Sequence, residues 1–140
     1  MAITTVMCSS YKKEILEGIH DAADTYKIAL YTSATTLDAS TTTYGTPTNE
    51  VASGGGYTTG GATLTGFAAT LDGTTGIIDF NDATWAAATI TARGALIYNS
   101  SKSNKAVACF DFGADISSTG GTFTVPMPVP AAATAVIRIA

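Results

Sequence analysis

The sequence predicts a mainly β domain: a small antiparallel β-sandwich or barrel-like fold with one short N-terminal helix and a long Thr/Gly/Ser-rich loop. Three observations point there. Threonine occurs 25 times, often in runs such as Thr41-Thr42-Thr43, and its β-branched side chain favours extended backbone. Fourteen glycines punctuate the chain, so short apolar runs alternate with turn signals. No helix-length segment separates the strand candidates, which argues against parallel βαβ units.

The one helical pattern lies near the start. After Ser9-Ser10, a plausible N-cap pair, Tyr11, Ile15 and Ile19 recur every four residues with Leu16 beside them. That apolar stripe predicts a helix over residues 9–20, with Lys12, Lys13, Glu14 and Glu17 toward water. Gly18 inside it would cost about 1 kcal/mol relative to alanine, so the helix depends on tertiary packing. His20, the only histidine, falls at its C-terminal end, where the helix dipole favours it.

Beyond Asp24 the period changes to two. Tyr26, Ile28 and Leu30 share one face of a strand, and Lys27, Ala29 and Tyr31 share the other. Residues 32–59 follow as an extended loop or arm rich in Thr, Ser and Gly, with Tyr44, Pro47, Val51 and Tyr57 as isolated anchors. A structureless segment of that length is uncommon in a compact domain and often functional. It is expected to order against a neighbour. Further strand candidates are residues 62–65, 76–80, 89–98, 105–112, 122–127 and 135–139. The clearest hairpin pairs residues 95–98 with 105–110 across the polar connection 99–104. Pro126, Pro128 and Pro130 place the end of the penultimate strand at an edge or outside the sheet.

Composition narrows the function. A chain of 140 residues fits one domain, 1–140, able to bury roughly two thirds of its unfolded surface without a disulfide. Charged residues make up 13%, about half the usual ~25%, leaving a neutral surface that neighbours can desolvate. A net charge of −4 with only seven Lys and Arg provides no basic patch, so neither nucleic acid nor an anionic membrane surface is expected as a partner. No apolar run approaches the ~18 residues of a membrane span. The start, Met1 to Thr5, lacks a signal-peptide pattern. Cys8 and Cys109 have no metal-ligand spacing and read as free buried thiols.

No residue pattern points to catalysis. His20 has no nucleophile and orienting acid beside it in sequence. Asp79/Asp82 and Asp111/Asp115 sit at expected strand ends, where a cation site is conceivable, yet neither stretch matches a calcium loop and Asp is a common turn residue. The glycines of Ser53-Gly54-Gly55-Gly56-Tyr57 have no following Lys-Ser/Thr and open no helix. Trp85, the sole tryptophan, suits a core or interface anchor better than a sugar-stacking platform. The expectation is a protein that is no enzyme, holds no cofactor or metal, and works by contact. Tyr44, Val51, Tyr57 and Trp85 are its candidate interface residues.

Several strings carry a family resemblance. Tyr26-Lys27-Ile28-Ala29-Leu30-Tyr31-Thr32-Ser33 resembles the opening of a family of small virion proteins of tailed bacteriophages. So do Thr48-Asn49-Glu50-Val51 with Gly56-Tyr57-Thr58-Thr59-Gly60-Gly61, and Ala92-Arg93-Gly94-Ala95-Leu96-Ile97-Tyr98-Asn99 with Asp111-Phe112-Gly113. The similarity spans most of the chain, from Met1 to about Pro128. It implies a virion structural protein, and further a capsid cement or decoration protein on the outer capsid surface, assembled in the host cytoplasm. Its implied partners are the major capsid protein and its own copies, with a homo-trimer as the symmetric default. A neck, tail or fibre-attachment component would carry the same surface at lower copy number. A carbohydrate-binding receptor module, stacking sugars on Trp85 and the tyrosines, is the reading from another class.

Overall fold

A computed structural model describes residues 2–140. Eight strands and one helix follow in the order β1 (Val6–Met7), α1 (Ser9–Leu16), β2 (Tyr26–Tyr31), β3 (Ala62–Thr63), β4 (Ala68–Asp72), β5 (Thr75–Asp79), β6 (Ala83–Asn99), β7 (Lys105–Val125) and β8 (Ile137–Ile139). They form a five-stranded sheet, β1-β7-β6-β2-β3, and a three-stranded sheet, β4-β5-β8. Every ladder is antiparallel. The chain is mainly β and sandwich-like, and its sheets do not close into a barrel. One apolar cluster takes side chains from both sheets, including Ile28, Leu30, Leu96, Ile97 and Val107 from the larger and Ile137 from the smaller.

The expected hairpin forms with Ala95 opposite Phe110 and Ile97 opposite Ala108. Its arms run much further than the apolar runs suggest. Segments 105–112 and 122–127 belong largely to one strand, β7, because the glycines between them mark bulges where turns were expected. Gly94 faces Asp111 while Ala92 faces Ile116: residues 112–115 therefore swell out of the ladder before pairing resumes. Bulges of this kind bend a strand without ending it. The outer part of the β6–β7 ribbon turns Trp85, Ala88, Ile90 and Ala92 inward and leaves Thr84, Thr89 and Thr91 exposed.

The helix begins at Ser9 as expected but ends at Leu16, with Cys8 rather than a serine at its N-cap and no side-chain cap bond. Gly18 ends it. Its φ of 71° places it in the left-handed conformation, with Gly18 N–H donating to Ile15 O and Ile19 N–H to Glu14 O, which closes a Schellman motif. The chain then turns back, so the predicted stripe forms only in part: Tyr11 is buried and Ile15 packs against the core, but the helix ends before Ile19. Leu16 is 89% exposed, whereas Tyr11 and the carboxylate-bearing Glu14 are buried.

The largest departure concerns residues 32–59. They have no regular structure of any length, as expected, but they do not project as an arm. Thr42 O accepts from Ala106 N–H and Tyr44 N–H donates to Asn104 O, covering the free edge of β7 near the hairpin turn. Val51 N–H donates to Leu30 O, and Thr32 N–H to Asn49 O, covering the edge of β2. Leu37 bonds on both sides of Ile3. The segment thus covers the edge of β2 and the hairpin end of β7, which keeps those stretches of unpaired strand from recruiting other chains. Several of its backbone groups thus find partners within the chain, although the buried Thr35 hydroxyl has none.

The loop returns to the sheet through Gly61. With φ of 78° and its Cα pressed on the backbone of β2, Gly61 leaves no room for a Cβ, which would land on the Ile28 carbonyl. That carbonyl lies in a fully buried strand that cannot withdraw. Gly61→Ala is therefore expected to cost about 3 kcal/mol or more in chemical denaturation, since steric overlap and positive-φ strain add.

Candidate interaction surface

Four aromatic and apolar side chains are the candidate contacts, and the fold turns all four inward. Tyr57 and Trp85 are buried, and Tyr44 and Val51 are half-buried against the core. They do not form an outward-facing patch; they fasten the loop. Trp85 on β6 packs against Tyr57 at 5.9 Å between ring centroids and against Phe123 of β7 at 6.1 Å. Tyr44 stacks on Tyr98 at 4.5 Å with rings 14° from parallel. Trp85 and five of the six tyrosines are buried, and the half-buried Tyr44 has one ring face covered by Tyr98.

Glu50 is the hub of this arrangement. Its carboxylate accepts from the Tyr44 hydroxyl at 2.6 Å, from the Tyr57 hydroxyl at 2.7 Å and from the Gly60 N–H at 2.7 Å. The Tyr57 oxygen in turn accepts the Leu30 N–H at 2.9 Å, so the knot reaches the backbone of β2. Burial raises the Tyr57 phenol well above its ordinary value; the Leu30 N–H pulls it back a little, and its bond to Glu50 raises it further. One carboxylate thereby holds three points of the loop against the sheet. The residues come from one polar stretch without periodicity, and only the acid flanked by tyrosines hinted at them.

A second polar cluster was hidden by sequence distance. Glu14 lies 3.3 Å from Lys105 Nζ and 3.4 Å from His20 Nε2. The Asn99 amide donates to Asp24 Oδ2 at 2.7 Å and faces His20 Nδ1 at 3.0 Å, and Lys102 Nζ bonds Asp24 Oδ1. Asn99 Oδ1 accepts the Ser101 N–H, which fixes the amide orientation, so His20 Nδ1 must act as an acceptor. Desolvation pushes the Asp24 carboxyl up, but the bonds from Asn99, the Asp21 N–H and Lys102 outweigh it and hold it below its usual range. This cluster stitches the residues after α1 to the β6–β7 turn. His20 lies beyond the helix, buried against Tyr11 at 4.6 Å between ring centroids, and the helix dipole does not account for it.

Of the two acidic pairs, Asp79/Asp82 lies at strand ends as expected, between β5 and β6, whereas Asp111/Asp115 falls inside β7. Asp111 lies within β7 and is held by the Gly113 N–H and by Arg93 Nε at 3.1 Å, which keep its carboxyl below the usual range. Asp115 sits across the bulge. Asp79 ends β5, and Asp82 Oδ1 accepts the Met127 N–H at 2.7 Å. Among the described residues no three His, Cys, Asp or Glu side chains converge as a metal site would require. Cys8 and Cys109 are free and buried, with their sulfurs 3.8 Å apart. No described helix is long and apolar enough to cross a membrane.

What remains open lies elsewhere. Besides the outer stretch of β7, which pairs with β6 alone from Ile116 to Val125, the smaller sheet presents two strand edges, β4 and β8. Every residue of β4 is exposed, and Leu71 stands 76% in solvent. Ile139 of β8 is 52% exposed, close to Leu16. Beside β8 a cleft of about 440 Å³ runs between the two sheets, lined by Val6, Phe110, Val136, Lys12 and Arg138 among others. Compared with family models, characterised proteins and solved structures, the chain matches none of them.

Proposed function

We propose that the chain is a structural protein of a tailed-bacteriophage particle. In this reading it is a capsid cement or decoration protein on the outer shell, bound to the major capsid protein and to its own copies. The observation that carries the proposal is the set of strings resembling small virion proteins. Their placement supports it: the strings build β2, the Glu50 knot, the hairpin arm of β6 and the bulge after Asp111. What is shared is thus the scaffold. A surface with few charges and many exposed Thr, Ala and Gly side chains also suits this role, because it can be desolvated at small cost over the ~1,200–2,000 Å² of a stable interface.

Imaging of the particle that contains this chain tests the reading. Density for the chain repeated over the shell is the expected result. A single ring at the neck or tail would replace the cement assignment with the neck or tail one, and absence from the particle would end both.

A further inference from the structure

The smaller sheet is unfinished at both edges, and the two edges complement one another. We infer that β4 of one copy docks along β8 of a second copy, entering the cleft beside it and joining the three-stranded sheets head to tail. The inference rests on the reading that the chain associates with its own copies.

Charge supports this choice of occupant. Among the described residues, four of the seven Lys and Arg side chains have carboxylate partners: Lys13, Arg93, Lys102 and Lys105. Of the three that have none, Lys12 and Arg138 both line this cleft. An acidic protein has thus gathered two of its three unpaired cations beside one open strand edge. The other open edge ends in Asp72, an acid without a cation partner, one of whose oxygens accepts the Ala132 N–H.

Strand geometry fits as well. Both β4 and β8 run antiparallel to β5, so they run parallel to each other, and a head-to-tail copy continues the sheet with a parallel β8–β4 junction. Side chains alternate across a strand. One pairing therefore puts Asp72 on the same face as Arg138 while Leu71 shares the opposite face with Ile139. The cation meets the acid, and the two exposed aliphatic side chains meet each other. Main-chain hydrogen bonds supply affinity in such strand addition, and side chains supply the register. Because the two surfaces differ, the contact is heterologous, and it closes into a ring if the rotation allows.

Size-exclusion chromatography with light scattering on the purified chain tests this. The wild type is expected to exceed its 14.2 kDa chain mass as concentration rises. Leu71→Lys and Arg138→Glu should each be monomeric; both side chains are exposed, so melting should be unchanged for the first and only slightly lowered for the second, which loses the bond from Arg138 Nη1 to Ala133 O. Thr70→Lys, on the Asp72 face, replaces Leu71→Lys should that variant melt differently. Mixed one to one, the β4 variant still offers an intact cleft and the Arg138 variant an intact β4, so the pair should form a dimer and grow no further. A wild type that stays monomeric, an oligomer that survives either substitution, or a mixture that stays monomeric overturns the inference. None of these results touches attachment to the particle, which imaging reads separately.

Discussion

Glu50→Ala should detach the 32–61 segment from the larger sheet and destabilise the protein by about 3–5 kcal/mol. The substitution leaves two tyrosine hydroxyls and the Gly60 N–H without their acceptor. A buried polar group left unpaired costs roughly 1–3 kcal/mol. Glu50 itself is half-buried, so water can replace part of what is lost, and the three losses will not simply add. Even so, the expected cost is a large share of the ~5–15 kcal/mol that holds a domain together. Glu50→Gln should fall between wild type and alanine, because the amide keeps one acceptor oxygen but turns a donor toward one of the three donors. Denaturant unfolding gives the energy. Hydrogen exchange gives the location, with protection lost first at Val51 and Tyr57. An alanine variant within ~0.5 kcal/mol of wild type and with both amides still protected would show that the loop is held by packing alone.

Alkali should unfold the protein in one steep step, with its tyrosines silent until then. All six phenols are raised above their ordinary value of 10.0, in each case chiefly by burial: Tyr11 and Tyr98 up to about 12, and Tyr26, Tyr31, Tyr44 and Tyr57 further. Below pH 10 both folded and unfolded chains keep these groups neutral, and their contribution to stability is fully present. Above it the unfolded chain releases protons that the folded chain retains, so stability falls as pH rises. Each group withholding its proton contributes about 1.4 kcal/mol per pH unit. With six acting together, a domain of ordinary stability is exhausted within roughly one to two units. Phenolate absorbance and circular dichroism should therefore change together, well above pH 10. Tyrosines ionising near pH 10 in a still-folded protein would contradict the burial on which the loop's anchoring depends.

The parts of the fold that were legible are those where one signal acted alone. The short run Tyr26 to Tyr31, rich in β-formers and broken only by Lys27, and two apolar runs around residues 99–104 were sufficient for β2 and the hairpin. The bulge at residues 112–115 was not legible, because glycine near Asp and Asn announces a turn and a bulge in the same way. Strand β4 gave no signal for another reason. A strand exposed on both faces has no buried face to produce alternation, so Ala68 to Asp72 looked like loop. The helix misled at Leu16 because Gly18, counted as a tolerated interior residue, is the stop that redirects the chain.

The contact residues show the same limit more sharply. Tyr44, Val51, Tyr57 and Trp85 stood out as large side chains in a polar setting, and that prominence marks an anchor whether it faces a neighbour or the protein's own core. Which of the two applies depends on partners far away in sequence, such as Phe123 for Trp85 and Tyr98 for Tyr44. The cluster of Glu14, His20, Asn99 and Asp24 joins residues far apart in the chain, such as His20 and Asn99, 79 positions apart, and had no local pattern to betray it. The surface proposed for a second copy, β4 with the cleft beside β8, is built from small and ordinary residues. Its significance lies in what the edges lack, namely strands to pair with.

On the proposed reading this chain works by covering and joining other subunits of a virus particle. Counting its copies per purified particle by quantitative mass spectrometry, against the major capsid protein, tests that claim most directly. A number of copies comparable with the capsid subunits is the predicted result. A handful of copies would contradict the cement role, and none at all would contradict the particle role itself.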